Sequence, residues 1–247
     1  MILYFSATGN SKYVAARVAE AIHDEIRAIT DCIAGNSFIF KDDRIGIVTP
    51  TYFWGMPSIV SDFLNKAEFQ TGYLYFIATY GTTSGAIGVL AKEAISNRKV
   101  DALYSVRMVD TYTPIFDIST PEKQNAFTAN TETEIQSIIE SINEKHCNKR
   151  MTHSTPAFVV KAIAQPIYNQ KARRTSRFSV DGNCVGCGLC ARKCPVQAIQ
   201  MQDGKPVWVK EKCVMCLGCL HRCPKFAIQC GNKTRNHGQY TNPNIKI

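Results

Sequence analysis

The sequence predicts an α/β protein in two parts. A doubly wound, five-stranded parallel sheet comes first, followed by a small α+β domain built on an internal duplication. Three observations carry this. Short apolar runs alternate with amphipathic helical patterns through the first half, the signature of a parallel sheet covered on both faces. Of 11 cysteines, only Cys32 and Cys147 lie in that half, and the rest fall between Cys184 and Cys230. Charge divides the same way: residues 1–150 hold 14 basic and 17 acidic side chains, residues 151–247 hold 15 and 3, and the chain of 247 carries +9. Two regions so different in composition read as two domains.

The first strand is Ile2–Phe5. After a polar loop, Tyr13, Val14, Arg17, Val18, Ala21 and Ile22 place an apolar stripe on a helix. A weaker strand around Glu25–Ile29 and a strong one at Ile45–Val48 follow, then a short helix, Ser58–Leu64. Tyr73–Thr79 is the next strand, Gly85–Ile95 a helix, and Ala102–Met108 the fifth strand. Thr131–Ile142 closes this part, with Ile135, Ile138, Ile139 and Ile142 on one side.

The domain plan is 1–147 for the sheet, 148–177 for a linker carrying a helix at Phe158–Tyr168, 178–233 for the cysteine-rich domain and 234–247 for a polar tail. With 45% hydrophobic and 20% charged residues, the chain is neither collagen-like nor wholly disordered. No stretch reaches the roughly 18–20 apolar residues of a membrane span. The opening Met-Ile-Leu-Tyr-Phe-Ser lacks the basic start of a signal peptide. The expected location is the cytoplasm, where clustered cysteines serve as metal ligands rather than disulfides.

The duplication is plain. Cys184–Gln200 reads CVGCGLCARKCPVQAIQ and Cys213–Gln229 reads CVMCLGCLHRCPKFAIQ, identical at nine of 17 positions. Each copy is C-x2-C-x2-C-x3-C-P. Three closely spaced thiolates cap three irons of one cubane, and the fourth ligates the cluster of the other copy. This assigns Cys184, Cys187, Cys190 and Cys223 to cluster one, and Cys213, Cys216, Cys219 and Cys194 to cluster two. Structural zinc favours separated C-x2-C pairs, not triplets followed by Cys-Pro. Cys32, Cys147 and Cys230 stand outside the pattern and read as ordinary thiols, and His221 is given no metal role. The motif resembles bacterial ferredoxins with two 4Fe-4S clusters, over about Val180–Cys230.

In the first half, Ser6-Ala7-Thr8-Gly9-Asn10-Ser11 opens a helix and forms a neutral cradle suited to a phosphate. It is neither G-x-G-x-x-G nor an NTPase P-loop. Pro50-Thr51-Tyr52-Phe53-Trp54-Gly55 offers three adjacent aromatics, and Thr79 to Gly85 offers Tyr80, hydroxyls and two glycines. All three loops follow strands, at the sheet edge where open α/β sheets bind ligands. Together they resemble flavodoxin, over about residues 1–145. The resemblance implies FMN, with the phosphate at Ser6, Thr8, Gly9, Asn10 and Ser11. It puts the flavin ring against Thr51, Tyr52, Phe53, Trp54 and Gly55, then Thr79, Tyr80, Gly81, Ser84 and Gly85.

The whole chain resembles flavodoxin–ferredoxin fusion proteins, which implies electron transfer between low-potential one-electron carriers, two 4Fe-4S clusters and FMN. Two alternatives stand beside it. One is an FMN-dependent reductase of a small organic acceptor such as a quinone or nitro compound, with its substrate under the Thr111–Pro121 loop. The other is an iron–sulfur redox sensor without flavin. No acid/base constellation stands out, so no catalytic side chain is assigned. The basic second half lacks an interleaved aromatic platform, which argues against nucleic acid and for acidic redox proteins as partners.

Overall fold

The computed structural model describes residues 1–147, 151 and 155–247. The first residues of the expected linker, 148–150 and 152–154, lie outside the described residues. Seven strands belong to the first half: β1 (Ile2–Tyr4), β2 (Ile26–Ala28), β3 (Ile39–Lys41), β4 (Arg44–Pro50), β5 (Glu68–Gln70), β6 (Tyr73–Tyr80) and β7 (Ala102–Arg107). Five of them form one parallel sheet in the order β2-β1-β4-β6-β7. Counted along that sheet the order is 2-1-3-4-5, and the switch point lies between β1 and β4. β3 and β5 form a separate parallel pair that the periodicity does not announce, because each has only three residues.

Six helices cover this sheet: α1 (Asn10–Ile22), α2 (Ile29–Ala34), α3 (Ser58–Leu64), α4 (Ile87–Ala94), α5 (Pro121–Thr128) and α6 (Thr131–Asn143). The strand alternation sorts the faces. Leu74, Phe76 and Ala78 of β6 pack with Ile59, Phe63 and Ile87 of α3 and α4. Tyr73, Tyr75 and Ile77 pack on the other side with Val14 and Val18 of α1 and Ile135 and Ile139 of α6. Each such aliphatic chain removed from water contributes about 1.5–3 kcal/mol. The caps follow their residues. α5 starts with Thr120, whose hydroxyl accepts from the Lys123 N–H, and has Pro121 in its first turn.

A helical segment, α7 (residues 157–172), covers the Phe158–Tyr168 expectation and extends it by a turn. Wide turns over Val160–Ala164 and Tyr168–Ala172 flank Pro166, which has no N–H to give. Val160 and Ala164 pack on Ala86 and Leu90. Tyr168 is fully buried, donates its hydroxyl to the Val214 carbonyl at 2.8 Å and accepts from the Ser58 N–H at 3.3 Å. One side chain thus pins the sheet half to the cysteine-rich half.

The second half has two antiparallel strand pairs, β8 (Phe178–Val180) with β11 (Ile228–Cys230) and β9 (Ile199–Gln202) with β10 (Lys205–Trp208). Short helices α8 (Leu189–Arg192) and α9 (Gly218–His221) occupy equivalent places in the two repeats, 29 residues apart. A last short helix, α10 (Thr234–His237), leads into residues 238–247. These residues do not trail as a separate tail. They return to the sheet half, where the Asn242 N–H donates to the Thr8 carbonyl at 2.8 Å.

Candidate functional site

Beyond the carboxyl ends of β1, β4, β6 and β7 lies a cavity of about 450 Å³, within the range of small-ligand and cofactor sites. Its walls include Ser6, Thr8, Asn10 and Ser11 from the first loop, Thr51, Tyr52, Phe53 and Trp54 from the second, and Thr79, Tyr80 and Gly81 from the third. The structure therefore brings the three loops around one space, at the switch point of the sheet. Gly9, Gly55, Ser84 and Gly85 do not line it and act behind the wall. Gly55 closes a backbone bridge with Tyr52. Gly85 packs on the Trp54 backbone, and the Ala86 N–H donates to the Trp54 carbonyl at 2.7 Å. Ser84 is fully buried. Gly9, at φ 100°, is buried against Asn242, and a Cβ there would stand 2.8 Å from Asn242 Cβ.

The first loop works through its backbone. Helix α1 has Gly9 as N-cap with no side-chain cap and no acidic residue in its first turn. The side chains are occupied elsewhere: the Ser6 hydroxyl accepts from the Gly9 N–H at 3.1 Å, and Ser11 pairs with Thr79 at 2.8 Å. The Asn10 amide donates to the Val109 carbonyl at 3.0 Å. The first-turn N–H groups and the positive end of the helix dipole remain for an anion. Among the described residues that line the cavity there is no lysine or arginine.

The second loop is a two-residue hairpin turn. Tyr52 and Gly55 exchange N–H···O bonds of 2.8 and 2.9 Å, and the central residues Phe53 and Trp54 have φ of 47° and 61°. Such turns favour Asn-Gly, because a side chain at positive φ costs roughly 1–2 kcal/mol. Here two aromatics occupy both places. The turn aims Phe53 inward, where its ring meets Tyr112 at 5.2 Å and Tyr168 at 5.5 Å between centroids, and leaves Trp54 44% exposed at the mouth. The Thr51 hydroxyl is buried without a hydrogen-bond partner among the described residues. Stacking surfaces, uncapped N–H groups and an orphaned hydroxyl fit a planar, phosphorylated ligand such as FMN.

Two further walls come from segments that no sequence motif marked for this cavity, and a third adjoins the Thr111–Pro121 loop expected over a substrate. The loop after β7 contributes Asp110, the single carboxylate among the described lining residues. It accepts from the Thr82 hydroxyl and the Tyr112 N–H at 3.1 Å each, and burial raises its pKa against both bonds. α7 contributes Ile163, Ala164 and Ile167, and the second cysteine repeat contributes Met215, Cys216 and Leu217. The Asp110 loop follows a strand as the other three do, so strand ends alone would have found it. The other two walls depend on packing between distant segments.

The cysteines gather in two rings. One small cavity is lined by Cys184, Cys187, Cys190 and Cys223, the other by Cys194, Cys213, Cys216 and Cys219. No three His, Cys, Asp or Glu side chains among the described residues converge as one metal ion requires. In each ring the thiols instead surround a void, as a cubane asks when every thiolate meets a different iron. The two cysteines that cross between repeats have matching backbone bonds: the Ala198 N–H donates to Cys194 Sγ at 3.2 Å and the Ala227 N–H to Cys223 Sγ at 3.3 Å. In the second ring, burial pushes the Cys213 thiol up to about 11, Cys216 up to about 12 and Cys219 well above its usual value. Iron bound there would supply the positive charge that such buried thiolates need. His221 is buried; its Nδ1 accepts from the Tyr240 N–H, so its Nε2 donates to the Thr111 carbonyl at 2.8 Å. Cys32 and Cys230 are buried and Cys147 is exposed.

Two family models match parts of the chain. A family described as "Flavodoxin domain" matches residues 1–103, and one described as "4Fe-4S dicluster domain" matches residues 183–228. The search of curated proteins gives no match. Among solved structures, the Trp repressor binding protein from Bacillus subtilis aligns at 12% identity and a TM-score of 0.32, over 55% of this chain and 96% of that one. No helix among the described residues is long and apolar enough to cross a membrane. The chain thus carries a flavodoxin domain and a ferredoxin-type 4Fe-4S domain, and the two matches support an electron-transfer or redox role.

Proposed function

We propose that the chain passes electrons between external one-electron carriers, two 4Fe-4S clusters and FMN. The observation that carries this is a shared wall: Cys216 and Leu217 line both the 450 Å³ cavity and the second cysteine ring. When bound, the clusters exchange single electrons and the flavin exchanges one or two. The residues do the rest. The N–H groups that open α1 hold the phosphate, and Phe53, Trp54 and Tyr80 wall the ring. Leu217 and Met215 exclude water between the two sites. At the outer end, Cys187 is exposed, Arg192 donates to the Cys187 carbonyl at 2.8 Å and Lys205 to the Cys184 carbonyl at 3.2 Å. This cationic rim suits an acidic carrier protein. We place the protein in the cytoplasm, where its thiols stay reduced.

A second reading is supported by the cavity mouth. Trp54, Ile115, Ile163 and Ile167 form an apolar rim, 43–63% exposed, and Ile115 lies in the loop after Asp110. Such a rim suits a small planar acceptor, such as a quinone, that takes electrons from the flavin.

Anaerobic purification with metal and flavin analysis tests the first reading. About one FMN and about eight iron atoms per chain are expected. Zinc in place of iron, or no flavin binding, rejects it. Turnover with quinones or nitro compounds then separates the two. Steady reduction of either acceptor establishes the reductase, and turnover with protein carriers alone removes it.

A further inference from the structure

Residues 238–247 connect the cysteine rings to the anion loop through buried and half-buried polar groups. At one end, Gln239 donates its side-chain amide to the Leu220 and Cys223 carbonyls at 2.6 and 2.9 Å. At the other, Asn242 donates its backbone N–H to the Thr8 carbonyl at 2.8 Å and its side-chain amide to Asn10 Oδ1 at 3.2 Å. The Tyr240 hydroxyl donates to the same Asn10 oxygen at 3.1 Å. Asn10, Tyr240 and Asn242 are all buried, so losing one partner leaves another polar group without water to replace it. Asn10 is the first residue of α1, and its N–H belongs to the anion-facing set. The contact is close because Gly9 has no side chain: a Cβ there would stand 2.8 Å from Asn242 Cβ.

We infer that Tyr240 and Asn242 are positioning residues for the flavin phosphate, acting through Asn10, and that they make FMN affinity depend on the assembled iron–sulfur unit. The inference rests on the FMN reading above. These residues touch the outer side of the 6–11 loop and do not line the cavity. The walls for the flavin ring come from other loops. Their effect therefore falls on the phosphate end alone. FMN and riboflavin share the ring and differ in the phosphate, so the two ligands report the two ends separately.

The test uses the full chain with clusters loaded, under anaerobic conditions, and compares wild type with Tyr240→Phe, Asn242→Ala and the double variant. Flavin fluorescence reads the affinities for FMN and riboflavin. The double variant is expected to bind FMN about tenfold more weakly, the worth of one or two buried hydrogen bonds, with riboflavin affinity unchanged. Tyr240→Phe removes one oxygen and keeps the ring, so it remains readable where Asn242→Ala lowers the yield of folded protein. Unchanged FMN affinity, or an equal loss for both flavins, overturns the positioning role. Chelating the iron from wild type is expected to weaken FMN more than riboflavin, and equal responses overturn the coupling. A wild type that binds neither flavin overturns the FMN reading, and the inference falls with it.

Discussion

At the left-handed positions of the first cysteine repeat stand Gly186 and Gly188, with φ of 69° and 70°. The second repeat puts Met215 and Leu217 at the same two places, with φ of 54° and 55°. Gln197 and Phe226 form a third matched pair, at 50° and 48°. The duplication therefore preserved the backbone even where a side chain makes it costly, at roughly 1–2 kcal/mol per residue. What the second repeat gains is two apolar side chains, 3% and 2% exposed, that face the flavin-sized cavity and pack in the cluster containing Tyr168. The first repeat gains no such contact. Its Val185 is 60% exposed and its Cys187 is open to solvent. One copy faces outward to carriers and the other faces inward to the cavity, on one shared scaffold.

The strongest way to break this division is to remove one thiol from each ring. Cys187→Ser and Cys216→Ser are both expected to lose about half of the iron, as each removes one ligand of one cluster. Cys216→Ser is expected to weaken FMN binding more than Cys187→Ser does, since Cys216 also lines the cavity. Iron analysis with flavin titration reads both. Equal flavin affinity in the two variants would show that the repeats do not differ in role.

A smaller effect sharpens the backbone argument. Leu217→Gly relieves a left-handed side chain but empties a buried leucine site, for a net loss of about 2 kcal/mol. Gly188→Leu is expected to cost about 1 kcal/mol, because an added Cβ meets only the end of the flexible Arg192 side chain, at 2.9 Å. Denaturant midpoints for loss of cluster absorbance give the order, and the reverse order would mean that Leu217 is not a packing residue.

The smallest effect concerns Asp110, the acidic group on the inward side. Its folded pKa is raised by burial. A raised value gives stability that is full below the ordinary carboxyl pKa and is lost as pH rises through the folded value. Asp110→Asn should flatten that slope in a pH series of unfolding midpoints. An unchanged slope would place the carboxylate in water.

Much of this was legible in the sequence, for reasons that differ by region. The five-strand sheet was clear because β4 and β6 are long apolar runs and α1 and α6 keep a helical stripe. Both cysteine rings were clear because their spacing repeats. Three of the cavity loops were found from strand ends. Within them, Gly9, Gly55, Ser84 and Gly85 turned out to support the wall rather than form it, which depends on which way each residue faces. Met215 and Leu217 carry no signal of their own in the sequence, since their role comes from packing against loops far away in the chain. Residues 234–247 read as a tail because their composition is polar. Tyr240 and Asn242 spend their polar groups on Asn10 and Thr8 of the first loop, a pairing that no local pattern encodes.

The Phe53-Trp54 turn sets a limit on improving this protein by selection. Its two aromatics hold the conformation for which Asn-Gly is the stable choice. A library screened for heat resistance alone would drift toward that pair, gain stability and erase two cavity walls. Screening must therefore score flavin retention alongside melting temperature. At residues 53 and 54 the two scores are expected to move in opposite directions.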